Sequence, residues 1–288
     1  MTPARRRAVG LVTVGVVVAV ACTFLGRWQW HRHEWRDARI ATVERNYDAT
    51  PVALADVLAS PAAALADADE WSQVRVTGTY LADATVLLRN RPVDGHPAYH
   101  VLVPFRLAAT GDVLVVDRGW VPTGEDASAD VDVAPPPAGE VELVARVRQA
   151  EQPTDGAATA GWVRSVHPPQ VMAAAGLDAV VYAHAFGQVV TEDPAPTNVL
   201  GALPAPDLDP GSHLSYAFQW WAFALGGLVG FTWLARRELV EERDGTGPPP
   251  DPGAPARPAR PARPRRREGR AEAEEDALID AQTRDVEG

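Results

Sequence analysis

The chain contains no lysine; its basic side chains, histidines apart, are all arginine. That excludes Schiff-base chemistry and serine–lysine dyads, which need an ε-amine. Cys22 is the one cysteine among 288 residues. It leaves no intramolecular disulfide, no paired-cysteine zinc or copper site and no CxxCH haem attachment. Two methionines make a thioether copper site a poor fit. There is no GxSxG elbow, no HExxH helix and no phosphate-cradling glycine loop. With no nucleophile–base pair visible, the chain is not read as an enzyme. Cationic clusters are missing from its middle, where residues 46–212 carry 22 acidic against 8 basic side chains, a balance of −14. So acidic a surface argues against a nucleic-acid partner.

What is present is two apolar runs near the ends and a mixed stretch of about 180 residues between them, enough for a domain with its own core. Arg5, Arg6 and Arg7 precede the first run, Ala8 to Leu25. Ala19-Val20-Ala21 resembles a signal-cleavage site, but apolar character continues past it through Phe24 and Leu25. A retained transmembrane helix is expected over residues 8–30, after a cytoplasmic segment 1–7. The second run, His213 to Ala235, holds about 22 residues without a formal charge, enough to span a bilayer. Tyr216, Trp220 and Trp221 crowd one end and Phe231 and Trp233 the other, as interfacial rings do. Arg236, Arg237 and Arg243 follow it, whereas residues 190–212 hold no arginine. That asymmetry places both termini in the cytoplasm and the middle domain, residues 31–212, outside. Arg27, Arg32, Arg36 and Arg39 after the first run point the other way; the second run carries the cleaner signal.

Small residues recur every four positions at Ala222, Gly226 and Gly230 on the second run and at Gly15, Ala19 and Thr23 on the first. Such faces let helices approach closely, so the two are expected to pack there. His213, Tyr216 and Trp220 share a different face of the second helix, at spacings of three and four. Packing through the glycine face would leave that histidine face free. A histidine so placed is either a metal or haem ligand or an interfacial polar residue.

Residues 30–46 are charged and helix-compatible, the first helix emerging into water. His31 and His33, two apart, do not share a helical face and are a weak metal signal. Residues 51–65 suggest a short helix broken near Pro61. Polar–apolar alternation over Gln73 to Tyr80 marks a half-buried strand. Further strands are expected at 85–90, 99–107, 113–117, 141–147, 162–166 and 180–190, with a turn at Gly111-Asp112 and a helical turn or two at 168–175. The fold class is therefore membrane α+β: two transmembrane helices flanking an external antiparallel β-rich domain, a sheet or small open barrel with a few helices. Residues 236–288 read as a disordered cytoplasmic tail, Arg/Pro-rich and then acidic, whose basic part suits contact with anionic lipid. His96, His100, His167 and His184 are scattered. Arg91 and Arg118 suit a carboxylate ligand or a structural salt bridge equally.

Four blocks, Leu25–Arg32 (LGRWQWHR), Asn90–Leu107 (NRPVDGHPAYHVLVPFRL), Val115–Pro122 (VVDRGWVP) and His213–Trp221 (HLSYAFQWW), come in an order that resembles the surfeit-locus, Surf/Shy-type family of cytochrome c oxidase assembly factors. The resemblance covers about residues 10–238, and the lysine-free composition is similar to that of actinobacterial members. Trp28, Gln29, Asn90, Gly95, Tyr99, Gly119, Trp120 and Gln219 carry it. It implies a cell-membrane protein that assists maturation of an aa3-type oxidase, binding haem a and aiding its insertion into subunit I. His213 is then the candidate ligand to haem iron, Tyr216 and Trp220 the walls of its slot, and Arg91 and Arg118 the partners of the propionates. Asp117 stands where many members have asparagine, and Ala98 where glycine is usual. The alternative implied is a haem-free scaffold that binds subunit I or the haem a synthase.

Overall fold

A computed structural model describes residues 1–123, 131–154 and 159–245. Of the disordered tail expected over 236–288, residues 236–245 are instead helical, the end of a helix that begins at His213, and the rest lies outside the described residues. Contacts divide the chain into a compact unit of residues 12–232 and a second that joins Met1–Leu11 to residues from Trp233 onward.

Helix α1 runs Pro3–Asn46 without a break, about 66 Å at 1.5 Å per residue. Between Arg7 and Arg27 it carries no charge. Among the described residues it is the one helix that is long and apolar enough by hydropathy to cross a membrane. A hydrocarbon core takes about 30 Å of it, so the expected helix over 8–30 is the first part of a longer rod whose charged remainder stays helical. At the other end α4, His213–Gly245, is helical throughout.

The middle of the chain forms β1 (Val52–Ala53), α2 (Leu54–Val57), β2 (Gln73–Tyr80), β3 (Val86–Leu88), β4 (Ala98–Leu107), β5 (Val113–Pro122), β6 (Val141–Gln149), β7 (Trp162–Val163), α3 (Pro168–Ala174) and β8 (Ala185–Asp193). The strands are ordered β1-β2-β6-β8-β5-β4-β3-β7, and β2 pairs again with β4. That second pairing joins β2, β6, β8, β5 and β4 into a closed ring, where the sequence suggested a sheet or open barrel. Nor is the pairing purely antiparallel: β1 runs parallel to β2, β7 to β3 and β8 to β5. Closure rests on Gly78, where a Cβ would meet the Arg106 carbonyl oxygen and the Phe105 ring. Only a residue without a side chain lets β4 cross so near β2.

Alternation sorts the core. Val74, Val76 and Tyr80 of β2 point inward with Tyr99, Val101, Val103 and Phe105 of β4 and Leu114 and Val116 of β5. The opposite faces, with Val86, Leu88, Leu102, Val115 and Phe186, are covered by Val171 and Ala174 of α3. The expected strands differ mainly at their ends: β5 continues to Pro122, and the 180–190 expectation becomes β8 at Ala185–Asp193. The helix expected over 51–65 is one turn, Leu54–Val57.

Aromatic rings and arginines bind the top of α1 to the barrel. Arg146 of β6 stacks 3.6 Å above the Tyr47 ring and Arg148 3.5 Å above Trp71. Glu70 accepts hydrogen bonds from Arg39 of α1 and Arg148.

Candidate functional site

The histidine face of α4 meets α1, and the glycine face does not. A Cβ added at Gly226 or Gly230 would meet no atom within 4 Å, and Ala222 is exposed, contrary to the expectation that these residues pack on the first helix. The contact is made instead by Trp221 against Gly26, Phe231 against Gly15 and Gly227 near Val18. Ala217, Ala224 and Cys22 are buried beside them. On α1 the expected Gly15 takes part, while the Thr23 hydroxyl bonds the Ala19 carbonyl of its own helix and remains exposed. The reason is shape. Two large rings from α4 fit over two glycines of α1, a knob-and-notch contact that a search for matched small residues overlooks.

His213, one turn before Ala217, therefore faces α1. Its Nδ1 lies 2.9 Å from Gln29 Oε1. With the amide oxygen facing the ring, Nδ1 carries the hydrogen and donates it, which leaves the Nε2 lone pair open. Metal-binding histidines are oriented in this way by a hydrogen bond on the other nitrogen. Tyr216 is 47% exposed and Trp28, next to Gln29, is 59% exposed; Trp220 is half-buried. Gln219 is exposed. The residues present thus fit a planar, largely apolar ligand bound through one imidazole.

A strap brings His213 to this place. Arg36 of α1 donates to the Asp209 carbonyl at 2.9 Å and the Asp207 carboxylate at 2.8 Å. Upstream, Trp120 and Gly201 exchange backbone hydrogen bonds at 3.0 and 2.8 Å, and the Trp120 indole donates to the Ala202 carbonyl. A side chain at Gly201 would strike that indole, and Gly119 adopts φ +134° beside it. Gly119 and Trp120 thus clasp the connector that leads into α4. Arg36, Gly201 and Asp207 escape a motif search because a strap is defined by contacts between distant segments. Asn90 (φ +60°), Asp94 and Gly95 shape turns, and Tyr99 packs edge-on against Trp162.

Arg91 and Arg118 do not join His213. Arg91 holds Glu151 with Nη2 at 2.6 and 2.7 Å. Arg118 forms a buried two-pronged pair with Glu192 at 2.8 and 3.0 Å. Arg118 lines a cleft of about 590 Å³ with Tyr47, Arg146, Val199 and Leu203. Tyr47 lies just past the end of α1, five helical turns or about 27 Å along its axis from Gln29. Both arginines are thus engaged by carboxylates of the barrel, Glu151 and Glu192. His100 donates or accepts through Nδ1 at 2.8 Å from Asp117 Oδ2, with its Nε2 buried and unpartnered. Burial, opposed by His100, holds the Asp117 carboxyl above the ordinary aspartate range. Among the described residues no group of three His, Cys, Asp or Glu side chains is placed to hold a metal ion.

The SURF1 family pattern matches residues 16–225, from within α1 to within α4. A SURF1-like protein of Mycobacterium tuberculosis is 33% identical over 250 residues, covering 84% of this chain and 89% of its own. A SURF1-like protein of Drosophila melanogaster is 30% identical over 243 residues, covering 77% and 75%. The cytochrome oxidase assembly protein SHY1 of Saccharomyces cerevisiae is 27% identical over 120 residues, covering 41% and 30%. The family pattern over residues 16–225 and a relative 33% identical over most of both lengths show that the chain belongs to the SURF1 family.

Proposed function

We propose that this protein is a membrane-bound assembly factor for an aa3-type cytochrome c oxidase, and that it binds haem a through His213 and assists its insertion into subunit I. Family membership and the name of the yeast relative support the oxidase role. The observation that carries the haem reading is the His213–Gln29 hydrogen bond at 2.9 Å, which orients the ring and leaves Nε2 to bind. When present, haem supplies an iron that takes an imidazole nitrogen as axial ligand. Gln29 fixes the ring, Tyr216 and Trp220 flank it, and the Arg36 strap holds the start of α4 against α1. The α4 segment to Ala235, uncharged and ringed with aromatics, is read as a second span. The protein is then two-pass in the cell membrane, with both termini cytoplasmic and the barrel outside.

The test is complementation of a host that lacks this chain. Wild type should restore the haem a content of its membranes, and His213→Ala should not, with equal amounts of both proteins present. Full restoration by His213→Ala would favour the second reading, a haem-free scaffold for subunit I or the haem a synthase. The open Ala222, Gly226 and Gly230 face of α4 favours that reading, because it suits a partner's transmembrane helix.

A further inference from the structure

Arg32 lies between the two points at which the connector touches α1. Below it Gln29 holds His213; above it Arg36 holds Asp207 and the Asp209 carbonyl. Residues three and four apart on a helix are surface neighbours, about 5–6 Å between Cβ atoms. Arg32 therefore shares a face with both Gln29 and Arg36. Of the three it alone has no hydrogen-bond or carboxylate partner among the described residues. Its guanidinium rests on the Trp35 ring, 4.6 Å from the centroid, and stays exposed. Stacking fixes the plane of the fork and leaves its N–H edge free. Acidic side chains of this stretch are turned elsewhere: Glu34 accepts from Trp30 and contacts His31, and Asp37 pairs with His33. The level matters as well. Arg32 follows the uncharged part of α1 by about a turn and a half, where a headgroup layer would begin.

We infer that Arg32 binds a carboxylate of the amphiphile whose iron His213 takes; Arg91 and Arg118 are already paired with Glu151 and Glu192. The inference rests on the haem reading proposed above and adds the group that fixes the ligand's orientation. An apolar macrocycle sits beside α1 and α4, and its carboxylate edge turns toward water at Arg32. The positive end of α4, which starts at His213, favours the same edge.

The experiment is a titration of the full-length detergent-solubilised protein with haem a and with haem a whose two propionates are esterified. Arg32→Ala, Arg32→Lys and Arg27→Ala are compared with wild type. Arg27 is exposed but lies two residues from Gln29, off the shared face. Loss of a charge-assisted hydrogen bond should weaken binding about ten- to a hundredfold. Arg32→Ala should bind the diacid that much less tightly, as wild type should bind the diester. Arg32→Lys should recover part of the loss and Arg27→Ala should show none. Equal affinity of wild type and Arg32→Ala for the diacid overturns the inference, as does equal affinity of wild type for diacid and diester. So does an Arg32→Ala effect confined to binding of anionic lipid vesicles. If Arg32→Ala fails to fold, the diacid-to-diester ratio of wild type decides. Binding of neither porphyrin by wild type instead removes the haem reading itself, and this inference with it.

Discussion

Asp117 and Glu192 show how charge is held inside this barrel by different means. Asp117 is buried against His100 and binds its proton more tightly when folded than in an open chain. A group of that kind stabilises the fold most at low pH, and the contribution is lost as pH rises through the raised pKa. The stability of wild type minus that of Asp117→Asn should therefore fall as pH climbs above about 4. Thermal melts of both proteins across pH measure it, and parallel profiles would contradict it. Glu192 instead answers the Arg118 guanidinium, with side chains only 5% and 2% exposed. Glu192→Gln leaves a buried cation without its counter-charge and should cost about 3–5 kcal/mol. Replacing both residues by apolar ones should recover most of that, read as the melting temperature. The two arginines were visible in the sequence, but not their partners. Glu192 is 74 residues from Arg118 and Glu151 is 60 from Arg91, and no local pattern connects such pairs.

At the level of elements, two glycines decide two contacts. Gly26 admits the Trp221 ring between α1 and α4, and Trp30 stacks on the same ring, 5.9 Å between centroids. Gly26→Leu should push the helices apart and weaken the His213–Gln29 hydrogen bond. Disulfide cross-linking between cysteines placed on the two helices should fall, while the barrel's melting stays unchanged; undiminished cross-linking would contradict the contact. Gly78 lets β2 and β4 close the ring, and Gly78→Val should destabilise the barrel by about 2 kcal/mol or more, read as a lower melting temperature. Strand positions were legible because polar–apolar alternation depends on burial alone. Ring closure was not, since it depends on a crossing between distant strands. The helix contact is hidden from the sequence for a related reason. Repeated small residues mark places where a helix can be approached, and on α4 that side faces away from α1.

For the molecule as a whole, the sequence made the architecture plain: an apolar N-terminal helix, a β-rich middle and a second helix that starts at His213. Charge and hydropathy change sharply between these parts, but the helices do not end where they change: α1 runs on to Asn46 and α4 to Gly245. What composition could not convey is how the parts are tied. The Trp120–Gly201 clasp and the Arg36–Asp207 strap carry the connector from the barrel down along α1, and Gln29 receives His213 at its end. In this account the barrel and its clasp position one imidazole between two helices. The most direct measurement is the visible absorption spectrum of the protein purified from a host that makes haem a, beside His213→Ala. The account predicts a haem a spectrum in wild type and its loss in the variant, at equal yield and with the barrel intact. A colourless wild-type protein from haem a-replete membranes, or a spectrum unchanged by the substitution, would contradict it.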